Sequence, residues 1–369
     1  MNRDEKYMAR ALELARQGCF TTSPNPNVGC VIVRDGQIVG EGFHLRSGGP
    51  HAEVHALRMA GDKAKGSTAY VTLEPCSHHG KTPPCADALI AAGVSRVVTA
   101  MQDPNPQVAG RGLYKLQQAG IEVEHGLMMA EAESLNRGFL KRMRTGFPYI
   151  QLKMASSLDG RTALASGESK WITSSQSRYD VQKLRAQCSA ILSSSNTVLA
   201  DDPYLTVRWS ELDAETQAVY PEENLRQPVR VIVDSQNRVV QQHQVIQQPG
   251  HCWLAGPKGD GDNWLENVEQ ILLPAHGVGV DLVLLMMQLG KRQINTVWVE
   301  CGPLLAGALL TLGLVDELVL YVAPKVLGDT ACGLFTIPEL KSLVKAPEFD
   351  IFDIQQIGPD LRLRLRPVY

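Results

Sequence analysis

The sequence predicts an α/β protein built as two domains, and three observations carry that expectation. Candidate strands and helices take turns along the chain, the pattern of a layered sheet covered by helices. The 369 residues exceed one typical core, because domains run to roughly 100–200 residues each. A basic stretch between Leu135 and Pro148 (Arg137, Lys141, Arg142 and Arg144, then Gly146) marks a join, so the domains are expected at residues 1–146 and 147–369.

The bulk composition narrows the function classes. A net charge of −3 shows no basic excess to hold a phosphate backbone, so nucleic acid is not an expected partner. The start, Met1-Asn2-Arg3-Asp4-Glu5-Lys6, lacks the apolar core of a signal peptide. The longest apolar runs, near Val280–Leu289 and Leu304–Leu312, fall short of the roughly 20 residues of a membrane span. A cytoplasmic protein with no membrane partner is expected. Eight Cys without a secretory signal suggest reduced thiols, and apart from Cys76 and Cys85 they read as ordinary buried residues.

In chain order, Tyr7–Gln17 reads as a helix with Met8, Ala11, Leu12 and Ala15 on one face and Gly18 as its stop. Thr22–Asn27 is a loop in which Pro24 and Pro26 restrict the backbone while Asn25 and Asn27 supply donors and acceptors. Val28–Val33 and Ile38–His44 form a hairpin around Asp35-Gly36. A helix at 51–60, a strand at 69–73, a helix at 86–92, a strand at 96–101, a helix at 113–119 and a strand at 121–123 complete a three-layer domain. In such sheets the loops at the strands' carboxyl ends carry sites, and Cys76 and Asp103 both follow strand ends.

Chemistry concentrates at His51-Ala52-Glu53 and at Pro75-Cys76 through Cys85. Thr82 can cap a helix led by Pro83-Pro84, which leaves Cys85 in its first turn, where unpaired amides and the helix dipole favour a thiolate. Two thiolates and one imidazole from His51, Cys76 and Cys85 would bind one Zn2+ and leave the fourth tetrahedral position open, a catalytic arrangement. Glu53, which does no ligating, is the expected catalytic acid and base. His55, four residues after His51 on the same helix face, and His78 and His79, between the cysteines, stay open as alternative ligands. The metalloprotease pattern needs Glu directly after the first His, and Ala52 stands there.

Deaminase cysteines usually lie two residues apart; here eight residues separate them, in the run Glu-Pro-Cys-Ser-His-His-Gly-Lys-Thr-Pro-Pro-Cys. That run, with Pro24–Cys30 and Gln102–Pro106, resembles the deaminase domain of the bifunctional riboflavin-biosynthesis deaminase/reductases. The resemblance implies a cytidine-deaminase-like α/β/α domain in which Asn25, His44, Lys81 and Asn105 meet a pyrimidinone bearing a phosphoribosylamino group. Lys81 in the insertion suits its phosphate, as a flexible point charge.

In the second half, strand 149–155 leads into Ser156–Thr162, and helix 175–187 is followed by strand 190–193. Trp209–Pro228 reads as an excursion loop, followed by strands at 229–234 and 252–255, a helix at 281–289 and a strand at 296–300. Cys301–Ala308 runs from that strand straight into a helix, where a glycine lets backbone amides face an anion. The terminal Leu361–Arg366 alternates apolar and basic residues, a strand whose arginines are expected to keep one face soluble.

Leu152–Ala155, Ser157–Gly160, Thr197–Arg208 and Glu300–Gly307 resemble the reductase domain of the same family. The resemblance implies a dihydrofolate-reductase-like α/β fold that uses NADPH. It places Ala155, Trp171, Thr197, Asp201, Ser235 and the turn Gly302, Pro303, Leu304, Leu305, Ala306, Gly307 and Ala308 at the nucleotide. Lys153, Ser169, Arg185, Leu205, Arg208 and Glu300 are placed at the substrate, with Arg185 and Arg208 suited to its phosphate. The proton donor in the reduction stays open between Lys153 and Asp201. Ser194, Ser195 and Cys301 stand where the family often has glycine. A small-molecule phosphoribosylaminopyrimidine substrate and a homo-oligomer are expected; a lone nucleoside deaminase with a degenerate appendage and a zinc-stabilised binding protein are the rival readings.

Overall fold

A computed structural model describes residues 2–77, 84–105, 109–259, 261, 263–277 and 279–369. These form two compact units, Met1–Gly146 and Phe147–Tyr369. Among them no helix is long and apolar enough to cross a membrane.

The first unit runs α1 (Arg3–Arg16), β1 (Gly29–Arg34), β2 (Gln37–Phe43), α2 (Ala52–Ala60), β3 (Thr68–Val71), α3 (Cys85–Ala91), β4 (Arg96–Thr99), α4 (Arg111–Gln118), β5 (Glu122–His125), α5 (Met129–Leu135) and α6 (Arg137–Thr145). Its sheet has the order β2-β1-β3-β4-β5. The period of two along β1 sends Val31 and Val33 into one core with Met8 and Leu12 of α1 and Phe139 and Leu140 of α6. Cys30 and Ile32 enter the other core with Ala52 and Ala56 of α2 and Leu89 of α3. Helices thus cover both faces, as expected. α1 begins earlier than its apolar face because Asn2 and Glu5 form a reciprocal cap. α5 and α6 were not anticipated, their apolar positions being diluted by the basic residues around the join; Gly146, with φ +78, ends α6.

The second unit adds β6 (Tyr149–Ser156), β7 (Arg161–Ala163), α7 (Ser175–Gln187), β8 (Ala190–Ser194), α8 (Ser195–Asp201), α9 (Ala214–Val219), β9 (Val229–Val233), α10 (Gln244–Gln247), β10 (Cys252–Gly256) and β11 (Val268–Leu272). There follow β12 (Ala275–His276), β13 (Gly279–Val280), α11 (Leu282–Lys291), β14 (Thr296–Glu300), α12 (Pro303–Thr311), β15 (Glu317–Val322), β16 (Cys332–Gly333), β17 (Glu348–Ile357) and β18 (Asp360–Val368). The nine-stranded sheet has the order β11-β10-β9-β8-β14-β6-β15-β18-β17. Its β9, β8, β14, β6 and β15 are mutually parallel, and β18 runs antiparallel between β15 and the edge strand β17. Val297 and Val299 of β14 face one core with α11 and α12, while Trp298 faces the other with Val181 of α7.

Two expectations for this unit are corrected. The stretch 209–228 is no free excursion: it holds α9, and the Trp209 indole donates to the Tyr220 carbonyl at 2.7 Å, with Tyr220 fully buried. The arginines of β18 do not simply keep a face soluble. β18 lies inside the sheet, so Arg362 is buried against Asp180 at 2.8 Å and Arg364 meets the buried Glu317 at 2.5 Å. A period of two reveals alternation but not which neighbours a strand acquires.

Candidate active sites

In the first unit, glycines decide how the helix bearing His51 and Glu53 lies. A Cβ on Gly40 would stand 2.2 Å from the Ala56 carbonyl and one on Gly42 2.5 Å from that of Ala52, so only glycine lets α2 rest on β2. His51 occupies the N-cap of α2 in extended backbone, and Glu53 is in its first turn, buried. Cys76 follows β3, and Cys85 is the first residue of α3, behind Pro84 at the N-cap. The expected cap Thr82 and its neighbour Pro83 lie outside the described residues, as do His78, His79 and the proposed substrate contact Lys81.

These elements bring His51, Cys76 and Cys85 together, with their ligand atoms all within 4.8 Å of one another. The His51 Nδ1 lies 3.2 Å from the Cys85 sulfur and 3.6 Å from that of Cys76. The thiolate was expected at Cys85, but the helix-end amide of Cys85 donates to the Cys76 sulfur at 3.3 Å. Hydrogen bonds from the Cys85 thiol, from His51 and from that amide pull Cys76 down to about 4, while sharing a proton with Cys76, together with burial, pushes Cys85 up. A dication needs both sulfurs as thiolates, so binding one releases that proton. Two sulfurs and a nitrogen, the three ligands grouped among the described residues, suit zinc with an open position. Burial pushes the Glu53 carboxyl up, against the opposing pull of His51, which is the setting of a group that must hold and return a proton. His55 is not in the cluster, and its buried Nε2 has no partner.

The ligand cluster is walled by a second layer. His44 packs edge-on to His51 at 5.4 Å between centroids. Its Nδ1 lies 3.0 Å from the Pro50 carbonyl and so carries the proton, leaving Nε2 to accept from the Asn25 amide at 3.0 Å. Burial lowers the His44 pKa, consistent with that neutral tautomer. Glu74, a residue with no role expected from sequence, is buried and its carboxylate accepts the backbone amides of Asp103, Gly110 and Gly112 at 2.9–3.2 Å. It ties the residues flanking Cys76 to the segment that carries Asn105, and Gly112 lets that segment close in, since a Cβ there would meet the Pro75 carbonyl at 2.0 Å.

In the second unit, Lys153 and Glu300 are register partners on β6 and β14. Glu300 holds Arg185 in a two-point fork at 2.5 and 2.9 Å and accepts the Trp298 indole at 2.8 Å; Arg185 also donates to the Thr206 carbonyl at 2.9 Å. Burial alone would raise Glu300, but the Arg185 charge and hydrogen bonds, helped by Lys153, hold it near 2. Burial pushes the Lys153 ammonium down, against the Glu300 charge. Arg208 forks onto Glu211 at 2.6 and 2.7 Å, so both arginines expected at the substrate phosphate already carry carboxylates. Leu205 has its side chain in the core beside α7, at φ +50, so any contact it makes with substrate is through backbone. Trp171 is exposed under the Arg178 guanidinium, and Ser169 is half-buried.

At the carboxyl ends of β8, β9 and β14 lies a cleft of about 490 Å³. Of the residues expected at the nucleotide, Ser235, Gly302, Pro303, Leu304, Leu305 and Ala308 line it. Ala155, Trp171, Thr197 and Asp201 are not in its lining, and Asp201 is engaged by Lys170 at 3.5 Å. Ala306 and Gly307 sit on the buried side of α12, where a Cβ on Gly307 would lie 1.9 Å from the Thr336 carbonyl. That glycine therefore serves packing, whereas Gly302, the N-cap of α12, faces open space. Ser194 and Ser195 also line the cleft, and Ser194 caps α8, so its hydroxyl is used locally. Arg238 and Asp281 line it too; neither stands in a recognisable motif, and only the sheet order brings them there. Its size and its exposed helix N-terminus fit a dinucleotide.

Two family models match the chain: the cytidine and deoxycytidylate deaminase zinc-binding region over residues 1–101 and the RibD C-terminal domain over residues 148–363. The chain is 70% identical over 362 residues to the riboflavin biosynthesis protein RibD of Escherichia coli (strain K12), covering 98% of this chain and 99% of that protein. It is 54% identical over 367 residues to the protein of that name from Haemophilus influenzae, covering 99% and 98%. Among solved structures, Acinetobacter baumannii RibD (form 1) matches with a TM-score of 0.92 at 46% identity, over 100% of this chain and 99% of that one. A diaminohydroxyphosphoribosylaminopyrimidine deaminase/5-amino-6-(5-phosphoribosylamino)uracil reductase from Thermotoga maritima matches with a TM-score of 0.88 at 34% identity, over 99% of each.

Proposed function

The chain belongs to the RibD family of riboflavin-biosynthesis proteins and is a bifunctional deaminase and reductase; we propose that its first unit hydrolyses the 2-amino group of 2,5-diamino-6-(5-phosphoribosylamino)pyrimidin-4(3H)-one and its second reduces the ribosyl group of the deaminated product to ribityl. The observation that carries the first step is the convergence of His51, Cys76 and Cys85 beside the buried Glu53. When bound, zinc supplies a Lewis acid that makes water a nucleophile near neutral pH, and NADPH supplies the hydride. Glu53 takes the proton of the attacking water and returns it to the leaving nitrogen, so that the C2–N bond breaks and ammonia departs. Asn25, fixed by His44, and Asn105 orient the ring, and Lys81 meets the phosphate.

In the second unit, hydride adds at C1 of the ribose as the bond to the ring oxygen breaks, and that oxygen takes a proton. Lys153 is the better donor of the two candidates: it stands beside Glu300 with its ammonium destabilised by burial, while Asp201 is engaged by Lys170. Gly302 and the first amides of α12 receive the cofactor diphosphate. Arg185, held by Glu300, lines the substrate side. Arg208 reaches the phosphate by exchanging Glu211 for it, both being two-point partners of one guanidinium.

The decisive experiment follows ammonia release and NADPH oxidation together on the diaminopyrimidinone phosphate. Glu53→Gln should retain stoichiometric zinc and lose ammonia release by at least about a hundredfold, while still oxidising NADPH when given the deaminated compound. Ammonia release at the parent rate would reject the role of Glu53.

A further inference from the structure

The cofactor reading leaves one question open within the same cleft: what recognises the extra phosphate that separates NADPH from NADH. Of the residues that line the cleft, Arg238 is the single cation. It stands on the turn after β9, which is shaped by Asp234, whose Oδ2 accepts the Val239 amide at 2.8 Å, and by Asn237 at φ +52. Its Nη2 donates to the Ser195 hydroxyl at 2.9 Å and to the Asn196 side-chain oxygen Oδ1 at 2.5 Å, both on the first turn of α8. Those acceptors are neutral, and among the described residues no carboxylate lies within ion-pair reach of the guanidinium. This sets it apart from Arg185 and Arg208, each forked onto a glutamate. The one acid in the lining, Asp281, is turned to the start of α11, where its Oδ1 accepts the Leu284 amide at 2.9 Å.

The order of strands gives the direction along which a dinucleotide would lie. Lys153 lies on β6 opposite Glu300, Glu300 ends β14 with Gly302 just beyond it, Ser194 ends β8 with Ser195 next, and Ser235 and Arg238 follow β9; these four strands are consecutive neighbours in the sheet. A cofactor with its hydride end at Lys153 and Glu300 and its diphosphate at Gly302 therefore extends its adenosine end toward β9. Three strand spacings of ~4.8 Å put that end about 14 Å from the reacting carbon. We infer that Arg238 binds the 2′-phosphate of NADPH and is the residue that sets the preference for NADPH over NADH. The guanidinium is held in place by Ser195 and Asn196, leaving its Nε and Nη1 donors for a dianion. The inference rests on the cofactor cleft assigned above.

The test uses the full-length, zinc-replete protein and the variants Arg238→Ala and Arg238→Gln; the second keeps a donor for Asn196 while removing the charge. Equilibrium binding of adenosine 2′,5′-bisphosphate and of adenosine 5′-monophosphate is read by ligand-induced shift of the melting temperature, alongside KM for NADPH and NADH. The parent should bind the bisphosphate more tightly. Both variants should lose about 10- to 100-fold of that affinity, the scale of a charge-assisted contact, with the monophosphate and NADH unaffected. Equal losses for both nucleotides would overturn the inference and leave Arg238 a brace for α8, and undiminished discrimination would overturn it as well. Failure of NADPH itself to bind the parent protein would instead sink the cofactor reading on which the inference stands.

Discussion

In the first unit, the reactive groups come from three elements that contribute one ligand each, and their polarity is completed only by something they bind. The second unit satisfies its own charges. Glu300 and Arg185, with side chains 16% and 11% exposed, neutralise one another inside the sheet, and the cleft beside them stays open. A buried cluster of two sulfurs and an imidazole suits a metal, whereas a paired floor beneath a cleft is a platform on which a ligand is placed. The first site should therefore depend on its metal for chemistry, and the second on its ion pair for shape.

The largest effect that could break this contrast is metal removal. Chelation should abolish ammonia release and leave NADPH oxidation on the deaminated substrate intact; loss of both would show that the second platform also depends on the metal. Next comes Glu300→Gln, which leaves Arg185 buried without its counter-charge and should cost about 3–5 kcal/mol. All five tryptophans lie in the second unit, so urea unfolding followed by their fluorescence reports that unit. The pH dependence has a definite sign. A carboxyl titrates near 4.3 when unfolded, and Glu300 near 2 when folded. Its contribution is complete above about pH 4.5 and is lost as pH falls toward 2. The gap between parent and Glu300→Gln should thus narrow below about pH 4.5, and a gap that widened there would contradict the pairing. The smallest effect separates the N-cap glycine of α12 from the glycine inside that helix. Gly307→Ala, driven against the Thr336 carbonyl, should cost about 1–3 kcal/mol, while Gly302→Ala, facing open space, should stay within about 1 kcal/mol.

Much of this protein was legible from one dimension. The alternation that makes β1 serve two cores, the helix 175–187, the strand 296–300 and the ordered His-x-Glu and Pro-Cys pattern all depend on residues near one another in the chain. Periodicity, capping and turn chemistry act over a few residues, so they can be read there. α8 was missed because Ser194 caps it inside what reads as one polar loop, and α6 because basic residues interrupt its apolar face.

What only the tertiary structure decided was who meets whom. It gave the helix-end amide to Cys76, paired both phosphate-seeking arginines with glutamates, buried Arg362, turned Gly307 to packing, and brought Arg238 into the cleft. All but the Arg208–Glu211 pair, which is three residues apart, depend on strand order and helix approach, which join residues far apart in the chain, 182 positions in the case of Arg362 and Asp180. Local sequence determines which groups are available and how each segment folds. The order of the sheet, set by the packing of the whole unit, determines which of those groups are left with a partner and which face a ligand.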